Sequence, residues 1–109
     1  MAFVKAVETA EVPVGKMKKV ELGGKEILIA NFEGKYYAIP DRCTHRGGDL
    51  SMGSLDGKIV TCPLHGSQFD VTTGKNVRGP KVFLTRGKTP DEPAFEVKLE
   101  GKNVMVKID

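Results

Sequence analysis

The chain has 109 residues, of which 39% are hydrophobic and 28% are charged. These proportions are ordinary for one globular domain, which at this length can bury roughly 65% of its unfolded surface without disulfide bonds. A formal net charge of +3 falls short of the basic balance of a nucleic-acid-binding protein, and no run approaches the ~20 apolar residues of a membrane span.

Short strands separated by glycine turns are predicted along most of the chain. Strand-forming residues indicate strands over residues 3–7, 18–22, 26–32, 35–39, 58–61, 69–71, 94–100 and 103–108. The Gly23-Gly24 pair is typical of a two-residue hairpin turn. No window carries the apolar stripe of a helix of ten or more residues. We therefore expect a single all-β domain over residues 1–109, an antiparallel sandwich or barrel.

Two stretches interrupt the strand pattern. Residues 41–57 are rich in glycine and poor in strand formers, and residues 85–93 have the composition of a surface loop. The middle of the domain is thus expected to be built from loops.

The two cysteines and two histidines of the chain all lie in or beside this middle region, as two matched pairs. Cys43 and His45 stand in CTHRGGDL, Cys62 and His65 stand in CPLHGSQFD, and sixteen residues separate His45 from Cys62. Each loop therefore supplies one thiolate and one imidazole. Short separations on glycine-containing turns let such side chains converge on one metal centre, with backbone N–H groups close by. This arrangement predicts a metal-cluster site.

Three other interpretations of the four residues compete with a metal-cluster site. Isolated cysteines and histidines are most often ordinary core and polar residues, but their concentration in two mirrored pairs argues against this. A Cys43–Cys62 disulfide would need an oxidising compartment, whereas the N-terminal residues lack the pattern of a secretory signal and indicate the cytoplasm. Two Cys and two His also suffice for tetrahedral zinc, although zinc fingers group Cys with Cys and His with His. A zinc-stabilised binding module is therefore the alternative from another functional class.

The spacing C-x-H, sixteen residues, then C-x-x-H resembles the cluster-binding signature of Rieske [2Fe–2S] proteins, and the similarity continues through VTTGKNVRGP. The resemblance implies a Rieske fold with a small loop-built cluster-binding subdomain over roughly residues 40–80. It implies that Cys43 and Cys62 bind one iron, that His45 and His65 bind the other, and that Pro80 belongs to a loop over the cluster.

Departures from the family pattern indicate the low-potential branch of Rieske proteins. High-potential Rieske proteins carry cysteines that bridge the two loops where this chain has Gly48 and Leu64, and a tyrosine where it has Phe69. Ser67, whose hydroxyl can donate to a cluster sulfur in the family, is retained. Because such donors stabilise the reduced state, the loss of one implies a potential toward the low end of the span of about −150 to +300 mV.

The resemblance also limits the function. Both histidines are used by the cluster, so the mononuclear iron site of a Rieske oxygenase cannot form and no catalytic site is expected. The chain is similar to a soluble Rieske ferredoxin, a one-electron carrier between a reductase and a terminal oxygenase. The small subunit of a nitrite reductase is a similar stand-alone domain and remains an alternative, as does a regulatory subunit whose cluster serves assembly. Basic residues at Arg42, Arg46 and within 75–88 would face an acidic redox partner.

Overall fold

Short strands dominate the regular structure of the chain. The computed structural model describes residues 3–42, 49–63, 66–78, 81–82, 85–86 and 94–108. In chain order the strands are β1 (Phe3–Glu8), β2 (Met17–Leu22), β3 (Lys25–Phe32), β4 (Lys35–Pro40), β5 (Ser54–Asp56), β6 (Ile59–Thr61), β7 (Gln68–Asp70), β8 (Asn76–Arg78), β9 (Lys81–Val82), β10 (Thr85–Arg86), β11 (Val97–Glu100) and β12 (Asn103–Lys107). Single 3₁₀ turns cover Thr9–Glu11 and Leu50–Met52.

The strands form three main antiparallel sheets. The first has the order β1-β12-β11, the second β2-β3-β4 and the third β5-β6-β7-β8, while β9 and β10 pair with each other. Neighbouring strands in the second and third sheets follow one another along the chain, so short hairpins connect them. This architecture confirms the predicted antiparallel all-β fold.

The β2-β3-β4 sheet contributes side chains to two separate apolar cores. Successive side chains of a strand point to opposite faces, and β3 is apolar on both. Leu28 and Ala30 join a core with Val60 and Phe69 of the third sheet, together with Ile39 of β4. Ile27 and Ile29 join the other core with Val104 and Val106 of the first sheet, together with Ala38. The second sheet is therefore the middle layer of the domain, which explains the nearly continuous apolar run of β3.

The predicted hairpin at Gly23-Gly24 is confirmed. Leu22 pairs with Lys25 across the turn, and the two glycines have φ angles of +56° and +79°. Two successive positive φ angles are the signature of the turn whose twist matches that of the flanking strands.

Some of the regular structure was not expected from the sequence. The 3₁₀ turn Leu50–Met52 and strand β5 lie within the stretch 41–57, and β10 begins the stretch 85–93; both stretches were predicted as loops. Strands β8 and β9 were also not anticipated. All four strands have two or three residues, and their pairing with a neighbour decides their conformation more than their own propensity does. Within the described ranges, no helix has the length and apolar character needed to cross a membrane.

Candidate metal centre

The second Cys/His loop, residues 62–67, is the connection of the β6–β7 hairpin. Thr61 pairs with Gln68 in the last register position of the ladder, and the side-chain amide of Gln68 donates to Thr61 Oγ1 at 3.2 Å. One step further, the backbone N–H of Cys62 donates to the carbonyl oxygen of Ser67 at 2.7 Å. Gly66 has a φ of +74°, a conformation that suits glycine. The loop is therefore closed at its base by an ordered ladder.

Cys62 faces the interior of the domain. Its exposed fraction is 1%, and it belongs to the apolar core between the middle sheet and the third sheet. Phe69 is fully buried in the same core. The position at which high-potential relatives carry a tyrosine hydroxyl is thus occupied by a purely apolar ring in the core that contains Cys62.

The hydroxyl of Ser67 is buried and has no hydrogen-bond partner among the described residues. Ser67 has an exposed fraction of 0%, and its Oγ has no hydrogen-bond partner in the described part of the chain. A buried hydroxyl without a partner costs about 1–3 kcal/mol, so native proteins almost always satisfy it. A sulfur of a bound cluster is a suitable acceptor, and this orphaned donor at the base of the second loop fits the group that the sequence implies.

The residues that flank the first Cys/His loop are joined in a comparable way. Arg42 and Asp49 form an isolated antiparallel bridge, and the N–H of Leu50 donates to the carbonyl oxygen of Asp41 at 2.6 Å. The fully buried Asp41 carboxylate accepts from Ser51 twice, from the backbone N–H at 2.8 Å and from the hydroxyl at 3.0 Å. Burial raises the pKa of Asp41, and these two hydrogen bonds oppose that rise by favouring the charged form.

Gly53, which follows the 3₁₀ turn after the first loop, packs against the start of the second loop. A Cβ atom on Gly53 would overlap the carbonyl oxygen of Thr61 and would lie 3.2 Å from Cδ of Pro63. Since Ser54 pairs with Thr61, Gly53 lies one position beyond that pair, beside the start of the second loop. The absence of a side chain at this position therefore allows the segment that follows the first loop to approach the base of the second loop.

The structure describes three of the nine residues singled out from the sequence: Cys62, Ser67 and Phe69. The other six lie outside the described residues: Cys43, His45, Gly48, Leu64, His65 and Pro80. The assignment of cluster ligands therefore stays a prediction.

Sequence reasoning did not single out Asp41, Gly53 or the ion pairs that flank the first loop. Of these, only Asp41 could have been noticed in the sequence, because it is an acidic residue two positions before the first cysteine. The ion pairs join residues that lie 16 to 30 positions apart, and nothing in the local sequence marks them as neighbours.

Comparison with known proteins agrees with this architecture. The profile of the Rieske [2Fe–2S] domain family matches residues 2–85. The ferredoxin component of a naphthalene 1,2-dioxygenase system from Pseudomonas aeruginosa is 35% identical, with 97% of this chain and 95% of the relative covered. The biphenyl dioxygenase ferredoxin subunit of Pseudomonas sp. (strain KKS102) is 38% identical, with 97% and 92% covered.

The fold has a counterpart among solved structures. A chain from the complex of reduced oxygenase and oxidized ferredoxin in carbazole 1,9a-dioxygenase superimposes with a TM-score of 0.82 and 28% identity. The superposition covers 95% of this chain and 100% of the other. The chain therefore belongs to the Rieske [2Fe–2S] domain family, and its cofactor is a [2Fe–2S] cluster of the Rieske type.

Proposed function

We propose that the protein is the ferredoxin component of an oxygenase system, a one-electron carrier that passes electrons from a reductase to a terminal oxygenase. Support comes from relatives over nearly the whole chain that are ferredoxin components of dioxygenase systems. The chain itself performs no substrate chemistry, as in an electron-transfer component. When bound, the cluster supplies a site that accepts and releases one electron.

The observation that carries the proposal is the buried hydroxyl of Ser67 beside the closed base of the second loop. Ser67 Oγ has no protein acceptor among the described residues, whereas the backbone carbonyl oxygen of Ser67 accepts a hydrogen bond from the N–H of Cys62. We propose Cys43 and Cys62 as ligands of one iron and His45 and His65 as ligands of the other. We propose Ser67 as a donor to a cluster sulfur, and Gly48, Leu64, Phe69 and Pro80 as the residues around the cluster.

The proposed ligands divide the single domain into two parts. Residues 40–80 would form the cluster-binding subdomain, and the β1-β12-β11 sheet with the middle sheet would form its support. The third sheet, β5-β6-β7-β8, falls within this range and carries the second loop on one hairpin. A loop whose base is closed by a hydrogen-bonded ladder suits an electron carrier, because a preorganised ligand set needs little rearrangement when the electron is transferred.

The reduction potential should lie in the lower part of the Rieske span of about −150 to +300 mV. Phe69 offers no hydroxyl to the sulfur of Cys62, and it is fully buried. A cluster with fewer donors to sulfur holds the added electron less strongly. Such a potential suits delivery of electrons to an oxygenase.

The proposed partners are proteins: a reductase that supplies the electron and an oxygenase that takes it. We expect a partner with an acidic docking face, because basic residues are frequent between positions 75 and 88. Among the predicted basic residues, Arg42 already pairs with Glu26 at 3.3 Å, so part of this charge is used within the chain. We propose the cytoplasm as the location, since a reducing compartment keeps both cysteines available as thiolates.

Low-temperature EPR of the dithionite-reduced protein tests the cofactor assignment. A rhombic S = 1/2 signal with an average g below that of all-cysteine [2Fe–2S] ferredoxins is expected, because histidine ligation changes the electronic structure of one iron. His45→Ala and His65→Ala should each abolish it. A colourless, zinc-containing protein without the signal would contradict the proposal and leave a zinc-stabilised binding module.

A reconstituted electron-transfer assay tests the role. The protein is mixed with the purified reductase and oxygenase of a naphthalene dioxygenase system, and product formation is followed with and without it. Turnover that depends on the protein supports the ferredoxin role. If no product forms and the large subunit of a nitrite reductase reduces the protein, the role of a nitrite reductase subunit is favoured instead.

A further inference from the structure

Four charged side chains connect both ends of the first Cys/His loop to the middle sheet. Lys19 Nζ lies 3.0 Å from Glu26 Oε2 and 3.2 Å from Asp49 Oδ2. Arg42 Nε lies 3.3 Å from Glu26 Oε1. Lys19 belongs to β2 and Glu26 to β3, whereas Arg42 and Asp49 flank the loop.

The order of these contacts makes the group a clamp on the loop. Arg42 stands at the start of the loop and is held by Glu26, while Asp49 stands at its end and is held by Lys19. Lys19 also contacts Glu26, so the two ends of the loop are tied to each other through the sheet. The bridge between Arg42 and Asp49 closes the backbone at the same place.

Lys19 is the member on which the arrangement depends. It places a positive charge between the carboxylates of Glu26 and Asp49. Without this cation, the fold would hold two negative charges near each other, and they would repel. Its hydrogen bonds to Glu26 and Asp49 raise the pKa of Lys19, so that it stays charged over the physiological range. About a third of each of these three side chains is exposed, so salt screens the network only in part.

We propose that Lys19 is a positioning residue for the cluster, acting through Asp49 and Glu26 to hold closed the loop that carries Cys43 and His45. The proposal rests on the proposed function, since it needs the first loop to supply two ligands. A single exposed ion pair contributes little, but a network that closes a loop at both ends restricts the positions its ligands can reach. No direct contact of Lys19 with the cluster is implied.

The neighbouring residue of β2 provides a matched control. Lys18 pairs with Glu11 at 2.6 Å and, because side chains alternate along a strand, points to the other face of the sheet. Lys18→Gln and Lys19→Gln thus make the same change in net charge on adjacent residues. Lys19→Arg keeps a cation that can reach both carboxylates and serves as the rescue variant.

Three measurements on the holoprotein test the proposal. The EPR line width of the reduced protein reports the spread of ligand geometries, and the loss of visible absorbance in EDTA reports cluster release. Hydrogen exchange at the amides of Leu50 and Ser51, which donate to Asp41, reports opening of the loop base. For Lys19→Gln we expect broader lines and about fivefold faster release and exchange, the size expected when two such ion pairs are lost. Lys18→Gln should match the wild type, and Lys19→Arg should restore most of the difference.

The outcomes separate this proposal from the proposed function. If Lys19→Gln matches Lys18→Gln in line width and release, Lys19 does not position the cluster, even if exchange at Leu50 is faster. If the wild-type protein itself lacks a Rieske signal, the proposed function fails. The exchange comparison then decides by itself whether Lys19 holds the loop closed.

Discussion

The backbone of Cys62 and the backbone of Ser67 are joined by a 2.7 Å hydrogen bond across the base of one loop, while the Ser67 side chain is buried without an acceptor. The first residue is a proposed iron ligand, and the second is a proposed donor to a cluster sulfur. This relationship makes Ser67 the residue at which the proposed cofactor can be tested most directly without touching a ligand.

Ser67→Ala should lower the reduction potential of the cluster. We have proposed that this hydroxyl donates to a sulfur whose negative charge grows on reduction, so its loss should destabilise the reduced state. A hydrogen bond contributes about 1 kcal/mol, which corresponds to about 40 mV for a one-electron couple. Redox titration followed by visible absorbance measures the change. Ser54→Ala, at an exposed position of β5, should leave the potential unaltered, and an equal potential for Ser67→Ala and wild type would exclude the donor role.

Phe69→Tyr should change the potential in the opposite direction. Phe69 is fully buried in the core that contains Cys62, and we expect a hydroxyl added there to donate to the Cys62 sulfur. We expect a rise of about 40 mV from one new hydrogen bond. Phe32→Tyr adds the same hydroxyl to a half-buried ring of β3 and should have no effect. An unchanged or lower potential for Phe69→Tyr would show that the missing hydroxyl does not explain a low potential.

Much of the fold could be predicted from the sequence because its signals are local. The alternation of Val104 and Val106 marks a strand with one buried face, and the pair Gly23-Gly24 marks the turn that joins β2 to β3. Both signals depend on residues within a few positions of each other. The short strand β5 carries no such signal, because its backbone is held by pairing with β6.

The cofactor of the candidate site could be predicted from the sequence, whereas the contacts around the bases of the two loops could not. The spacing of the two Cys/His pairs predicted a Rieske-type cluster, which the family match confirms, whereas the individual ligands stay predictions. The clamp of Lys19 and Asp49 joins residues 30 positions apart, and contacts of this kind arise only when the sheet has formed. The role of Gly53 was hidden for the same reason: its close neighbour is the backbone of Thr61 on another strand.

Gly53→Ala should destabilise the protein and disturb the cluster together. The added methyl group would overlap the Thr61 carbonyl oxygen, so the segment of Gly53 and the start of the second loop must move apart. Overpacking of this kind costs typically about 1–3 kcal/mol. Thermal unfolding followed by circular dichroism, with iron content and EPR line width, measures both effects.

Gly101→Ala is the control for Gly53→Ala. Gly101 has a φ of +60° and open space around its Cα, and it lies in the β11–β12 turn. Alanine there costs about 1–2 kcal/mol through backbone strain alone. Both variants should therefore lower the unfolding midpoint, but only Gly53→Ala should broaden the EPR lines. Equal spectra for the two variants would mean that the close approach at Gly53 does not position the second loop.

Asp70→Asn should remove a contribution to stability that depends on pH. The Asp70 carboxylate accepts from the Thr72 N–H at 2.8 Å and from its hydroxyl at 2.6 Å, and Lys58 lies 3.5 Å away. Burial raises the pKa of Asp70, but the hydrogen bonds from Thr72 and the charge of Lys58 outweigh it, and the pKa falls below its usual value.

A lowered native pKa means that the ionised group stabilises the fold above about pH 4, the usual pKa of aspartate. This contribution disappears as the pH falls through the native pKa. Unfolding midpoints from circular dichroism should thus differ by about 4–8 °C near pH 7, the shift expected for about 1 kcal/mol, and the difference should begin to shrink as the pH falls below about 4. Asp56→Asn, an exposed aspartate of β5, should follow the wild type throughout, and a constant difference between Asp70→Asn and wild type from pH 7 to 3 would rule out the charge as the cause.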